Sequence, residues 1–279
     1  MSDGPVEVPE SDATGLIREL YDDIKVTMNI GMINLVYRRM ASVDGVLEWF
    51  WHAVRPVLVS GEIDRALSSL TADLDWRVVP EVSASSLSFL NLGDREMEDL
   101  IRVVEDYNRG NSLNLLLFTA FAERLKSGGP IAEVTNTPKK HPLVEPLGLP
   151  PILAMSDMSQ ETASLVRALS APISPVHQPL IPSLFRHLAR WPEFLAFVSP
   201  YLTHMINSGE VSRMSNVLQD CAEDWAPDIG RKIEISVDAT TPDEVVQKFW
   251  IGECQAYTSK PIPEMIIVGH SLRPYFANV

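Results

Sequence analysis

Asn111 closes the polar run Asn108-Arg109-Gly110-Asn111, which interrupts two apolar segments and follows Tyr107. An asparagine amide both donates and accepts hydrogen bonds, so Asn111 can fix a water or a small ligand. The same residue also suits the start of a helix over 112–126, with Gly110 closing the helix before it. Ser183 offers a hydroxyl to a ligand carboxylate, or caps a helix over 184–190. Asn34 is polar within Met32-Ile33-Asn34-Leu35, and either lines a cleft or faces solvent. Tyr107 recurs as Tyr257 in the second half of the chain, which favours a packing role. His177 titrates near neutral pH and can serve as a base, although its Pro-rich surroundings equally suit an exposed loop.

Other chemistries lack their residues. His52, His141, His187, His204 and His270 show no metal-ligand spacing. Gly61-Glu62 and Gly209-Glu210 sit outside any phosphate-loop pattern and read as helix starts. Cys221 and Cys254 form neither a C-x-x-C pair nor a disulfide framework, which leaves a helical thiol peroxidase or a decarboxylase-like relative only a remote option. Lys and Arg number 23 against 37 Asp and Glu, a net charge of −14. That balance gives no general attraction to nucleic acid or to anionic lipid. The N-terminus is acidic and polar, unlike a signal peptide. The apolar stretch from Leu113 to Ala122 is too short to span a bilayer. The expectation is a cytoplasmic protein.

The elements that must position these residues read as helices. Leu16, Ile17, Leu20 and Ile24 recur at helical spacing after Asp12 or Thr14, behind a loose tail over 1–13. Further helices are expected over 32–42, 44–59, 61–75, 94–108 and 112–126. Only Lys232 to Val237 hints at alternation. Pro and Gly punctuate 127–158 as a linker. The class is all-α.

Beyond the linker the pattern restarts. At an offset of 148, Ile33, Arg38, Ala41, Leu47, Ser60-Gly61-Glu62 and Arg65 match Ile181, Arg186, Ala189, Leu195, Ser208-Gly209-Glu210 and Arg213. Asp75-Trp76 pairs with Asp224-Trp225. This is an internal duplication, with repeats over 14–126 and 159–279. Two similar halves would pack as a pseudo-dimer around a central cleft, the default ligand site. Positions where the halves differ are then the informative ones.

YDDIKVTM (21–28), LVYRRMASVDGVL (35–47), DYNRGNSLNLLLFTA (106–120) and SLFRHLARWPEFL (183–195) resemble the DehI family of 2-haloacid dehalogenases. The resemblance runs from about Thr14 to about Phe276. It implies an all-α pseudo-dimer in one chain, paired into a homodimer, and hydrolysis of 2-haloalkanoic acids without a cofactor. In the mechanism it implies, an aspartate of the second half deprotonates a water held by an asparagine of the first half. That water displaces halide in one step with inversion. The water-holding asparagine matches Asn111, and the pocket serine matches Ser183. The aspartate position holds Leu184, which accepts no proton. The aromatic wall falls on Met32 and Leu35. Asn34 and Tyr107 are added as pocket candidates on the residue reading above. The expected function is therefore that of a dehalogenase-like hydrolase of small 2-substituted carboxylic acids, with dehalogenation altered or lost. The alternative is a non-catalytic small-ligand binding protein on the same scaffold.

Overall fold

Leu20, Tyr21, Ile24 and Met28 fall on one face of α1 (Gly15–Met28), which stops where Asn29 turns left-handed at φ 53°. The same periodicity builds α2 (Leu35–Met40), α3 (Val46–Val59), α4 (Asp64–Ser69), α5 (Ala84–Ser88) and α6 (Asp94–Ser127). It continues through α7 (Gln160–Ser170), α8 (Ser183–Leu188), α9 (Pro192–Asn207), α10 (Glu210–Gly230), α11 (Glu244–Ser259) and α12 (Pro261–Ser271). Met155–Asp157 and Arg273–Phe276 are single 3-10 turns. The computed structural model describes residues 6–76, 84–128, 146, 148–174, 180–235 and 241–276. Among these there is no strand, so 232–235 is not one, and no helix is long and apolar enough to cross a membrane.

The chain divides into two compact units, neither of which is one sequence half. The first takes residues 1–72, 113–148 and 219–258, and the second takes 73–112, 149–218 and 259–279. Each unit therefore draws helices from both sides of the Pro-rich segment, and α6 and α10 contribute to both.

In the first unit α1 packs on α3. Phe50 meets Phe118 and Phe121 with ring centroids 5.1 and 4.9 Å apart, and Trp49 meets Phe121 edge-on at 5.0 Å. Asp23 accepts from Arg55 through Nε at 2.6 Å and Nη2 at 2.9 Å, and from Trp51 Nε1 at 2.6 Å. Burial pushes this carboxyl up, but the Arg55 and Trp51 donors outweigh it and hold Asp23 below the usual carboxylate range. The expected loose tail is docked over residues 6–13. Glu7 pairs with Arg38 at 3.0 Å, Glu10 accepts from Ile33 N–H at 2.7 Å, and Tyr21 donates to the Val8 carbonyl at 2.9 Å. Its acidic residues find cations there, which polar composition alone does not reveal.

In the second unit α7, α8 and α9 pack together. Phe194 stacks on Phe276 at 5.7 Å and meets Tyr275 edge-on. Helix α12 is buried along nearly all its length, including Glu264. That carboxylate is met by Lys260 Nζ at 2.7 Å and Ser212 Oγ at 3.2 Å, as a buried charge requires.

Helix α6 corrects the expected break at Gly110. The structure has one 34-residue helix where the sequence suggested two. Asn, Gly and Ser each cost a helix interior about 0.5–1 kcal/mol relative to Ala. Against that, Val103, Val104 and Leu113 to Phe118, apart from Asn114, are all buried apolar side chains, each stabilising by about 1.5–3 kcal/mol. Burial wins, and Asn111 is a mid-helix residue, not a cap. Helix α4 covers only part of the expected 61–75.

Candidate functional site

Four of the seven candidate residues lie in the second unit, on α6 and α8. Tyr107 and Asn111 are four apart on α6 and share a face, with the Asn111 side chain leaning back over the turn that carries Tyr107. Ser183 opens α8, with Pro182 ahead of it, so the serine is the first helical residue and not the cap. Leu184 follows. Tyr107 is 4% exposed, Asn111 8%, Ser183 9% and Leu184 1%. Met32, Asn34 and Leu35 belong to the first unit, at the start of α2. Met32 and Asn34 are buried, Leu35 is half-buried, and the Asn34 side-chain oxygen has no hydrogen-bond partner among the described residues. His177 lies outside the described residues, as does His141.

The two helices of the second unit meet through a residue that the sequence reading passed over. His187 lies three positions after Leu184 and four after Ser183, so all three share one side of α8. It is 1% exposed. Its Nδ1 lies 3.4 Å from the Tyr107 hydroxyl, and the two rings stand edge-on at 89° with centroids 5.9 Å apart. Its Nε2 bonds to the Pro150 carbonyl. A carbonyl only accepts, so Nε2 carries the proton, Nδ1 carries the lone pair, and the Tyr107 hydroxyl is the donor to it. The end of the Pro-rich segment thus fixes the tautomer. It also takes bonds from Arg186 to the Leu153 carbonyl and from Arg190 to the Pro151 carbonyl.

Burial pushes the His187 imidazole down to about 4, against an upward pull from the Pro150 carbonyl and with further lowering by Arg190 and Arg186. The ring is neutral at pH 7. Because the folded-state value is depressed, the unfolded chain binds the extra proton between pH 6.5 and 4. His187 therefore costs nothing above pH 6.5 and removes up to about 3 kcal/mol of stability as pH falls through that window. Replacing His187 by Gln should flatten the loss of urea midpoint between pH 6.5 and 4. An unchanged pH profile in the variant would count against a buried neutral imidazole. His270, held down to about 3 by burial and by Arg273, supplies a residual slope in both proteins.

A signal for His187 was present in the sequence matches between the two halves of the chain. Position 187 is 148 after position 39, and Tyr107 is the sequence partner of Tyr257. In the first unit Arg39 Nη1 donates to the Tyr257 hydroxyl at 2.8 Å and lies 2.8 Å from Glu253 Oε2. In the second unit the same pair of positions holds His187 and Tyr107. One copy of the contact is charged and the other is neutral.

Asn108 is one turn before Asn111, 2% exposed, with neither amide atom hydrogen-bonded within the described residues. It packs over Gly269 of α12, where an added Cβ would fall 2.1 Å from Asn108 Oδ1. Gly269→Ala gains helix propensity but forces this amide aside, so it should destabilise by about 1–3 kcal/mol. Adding Asn108→Ala should recover most of that loss in urea denaturation. Equal stability of Gly269→Ala and the unsubstituted chain would show that the amide moves freely.

A separate groove of about 400 Å³ in the first unit is lined by Trp225, Arg65 and the pairs Lys232–Glu62 and Arg231–Asp228, and by none of the seven candidates.

No protein-family model matches the chain. It is 27% identical over 203 residues to a configuration-inverting 2-haloacid dehalogenase of Alcaligenes xylosoxydans xylosoxydans, covering 69% of this chain and 66% of that one. It is 22% identical over 222 residues to an (R)-2-haloacid dehalogenase of Rhizobium sp. (strain NHG3), covering 77% and 84%. The chain thus matches slightly under two thirds of the first relative's length. Among solved structures, a D-2-haloacid dehalogenase mutant in complex with D-2-CPA superposes with a TM-score of 0.70 at 16% identity, covering 97% of this chain and 95% of that one. A D-2-haloacid dehalogenase with L-LA superposes at 0.68 and 17% identity, covering 97% and 96%. The fold is theirs.

Proposed function

We propose, from the premise that this chain is a 2-haloacid-dehalogenase-like protein of the DehI type, that it takes small 2-substituted carboxylic acids at the α6–α8 site and lacks the aspartate-driven displacement of halide. The observation that carries this reading is Leu184. It is fully buried on α8, between Ser183 and His187, where the DehI resemblance puts the aspartate. A leucine neither accepts a proton nor holds a charge. Water is a poor nucleophile, and a base beside it is worth roughly 10²–10⁴ in rate.

Asn111 remains as the amide that holds the water, and Ser183 as the hydroxyl for the substrate carboxylate. The resemblance assigns Met32 and Leu35 to a ligand pocket, and Asn34 is added to them for its polarity within an apolar segment. The offset of 148 between the six-residue helices α2 and α8, together with the matched tyrosine contacts, supports reading the repeats 14–126 and 159–279 as a pseudo-dimer. A homodimer of such chains follows the same resemblance.

The same leucine favours a second reading, binding without turnover, because replacing a buried carboxylate by an apolar side chain removes its desolvation cost. Calorimetric titration with D- and L-2-chloropropionate tests the shared part of both readings. Saturable binding, weakened tenfold or more by Asn111→Ala or Ser183→Ala, is expected. Absence of binding to the folded chain would overturn both.

A further inference from the structure

We infer that Tyr107 and His187 together take the proton of the attacking water, in place of the carboxylate that position 184 lacks; the inference rests on reading the chain as a hydrolase of small 2-substituted acids. Three features of the geometry point to it. Tyr107 shares a face of α6 with Asn111, the amide assigned to the water, one helical turn away. The Tyr107 hydroxyl faces the unprotonated nitrogen of His187 at 3.4 Å. That is long for a hydrogen bond at rest, and such bonds commonly tighten only when substrate is bound. The Pro150 carbonyl anchors the opposite nitrogen, so the lone pair is held toward Tyr107 and cannot flip away. Hydroxyl, imidazole and orienting acceptor follow one another as they do in an activated-nucleophile site, here with water as the nucleophile.

The step balances. The water oxygen bonds to C2 of the acid, and the carbon–halogen bond breaks with its electron pair leaving as halide. As the new C–O bond forms, the water proton passes to the Tyr107 oxygen, and the Tyr107 proton passes to His187 Nδ1. The products are a 2-hydroxy acid, halide and one proton. A strong base is not needed, because a water bonded to carbon is a strongly acidic oxonium. An imidazole held near 4 matches an ordinary aspartate in strength. Arg186 and Arg190 oppose the imidazolium, which favours release of the proton before the next cycle.

The test is chloride release from D- and L-2-chloropropionate over long incubations. It uses the unsubstituted chain, Tyr107→Phe, His187→Gln, His187→Ala and Leu184→Asp, each checked for folding by thermal melting. Slow release by the unsubstituted chain is expected. Tyr107→Phe and His187→Gln should each lower kcat at least tenfold, with KM within about threefold. Added imidazole should restore His187→Ala in proportion to its concentration, a response that a packing role would not give. If the unsubstituted chain releases chloride and Tyr107→Phe keeps its kcat, the inference fails. It fails also if the unsubstituted chain is silent while Leu184→Asp is active, although the site reading then stands. If both are silent, the hydrolase reading itself fails.

Discussion

Leu184→Asp should release chloride from 2-chloropropionate faster than the unsubstituted chain, because a carboxylate at position 184 takes the water proton directly; a base beside a water is worth roughly 10²–10⁴ in rate, and the gain is the part of it that the Tyr107–His187 relay does not supply. The substitution restores a proton acceptor on α8 next to Ser183, with α6 carrying the amide of Asn111. The gain should fall mainly on kcat, because a base acts in the transition state and adds little to ground-state binding. It should vanish in the double variant Leu184→Asp, Asn111→Ala. The same change should cost stability. Leu184 is 1% exposed, and a large-to-small change at such a site costs about 2–5 kcal/mol before any charge is buried. A variant that is less stable and faster is the expected signature. A folded variant with unchanged kcat would mean that position 184 is not where a base is needed.

Arg39→Ala should destabilise the chain by about 3–5 kcal/mol in urea denaturation, because it leaves the mostly buried Glu253 carboxylate without its cation. The side chains of Arg39 and Glu253 are 8% and 16% exposed, and the guanidinium also lies 5.8 Å over the Tyr257 ring. Replacing Arg39 and Glu253 together should cost less than the sum of the single changes, and that difference measures their coupling. The counterpart of Arg39 in the second unit, His187, weakens the fold only below pH 6.5. Additive single and double effects would show that the two charges do not stabilise each other.

The helical class was legible because apolar spacing near 3.6 recurs over most of the chain, and α1, α2 and α3 fall within a few residues of the expected segments. The matches that suggest a repeat, the identical triplets Ser60-Gly61-Glu62 and Ser208-Gly209-Glu210, are equally plain in the sequence. Three things were not. Asn108-Arg109-Gly110-Asn111 carries local signals for a helix end, and only the burial of its flanks makes it the middle of α6. The docking of residues 6–13 depends on Arg38 and Lys25, whose places in space no local pattern gives. His187 looked like one more histidine without metal spacing. Its partners are the Tyr107 hydroxyl, 80 positions away, and a carbonyl at the end of a Pro-rich segment, and no local pattern brings them together. The division into compact units was equally hidden, because it follows the path of α6 and α10 and not the boundary between repeats.

The central claim is that a small 2-substituted acid binds against Asn111, Ser183 and Leu184. The most direct measurement is a crystal structure of the unsubstituted chain soaked with L-2-chloropropionate. The account predicts the ligand carboxylate within hydrogen-bond distance of Ser183, with C2 facing Asn111 and the Leu184 side chain. Ligand found instead only in the groove beside Trp225 and Lys232, with the α6–α8 site unchanged, would contradict it.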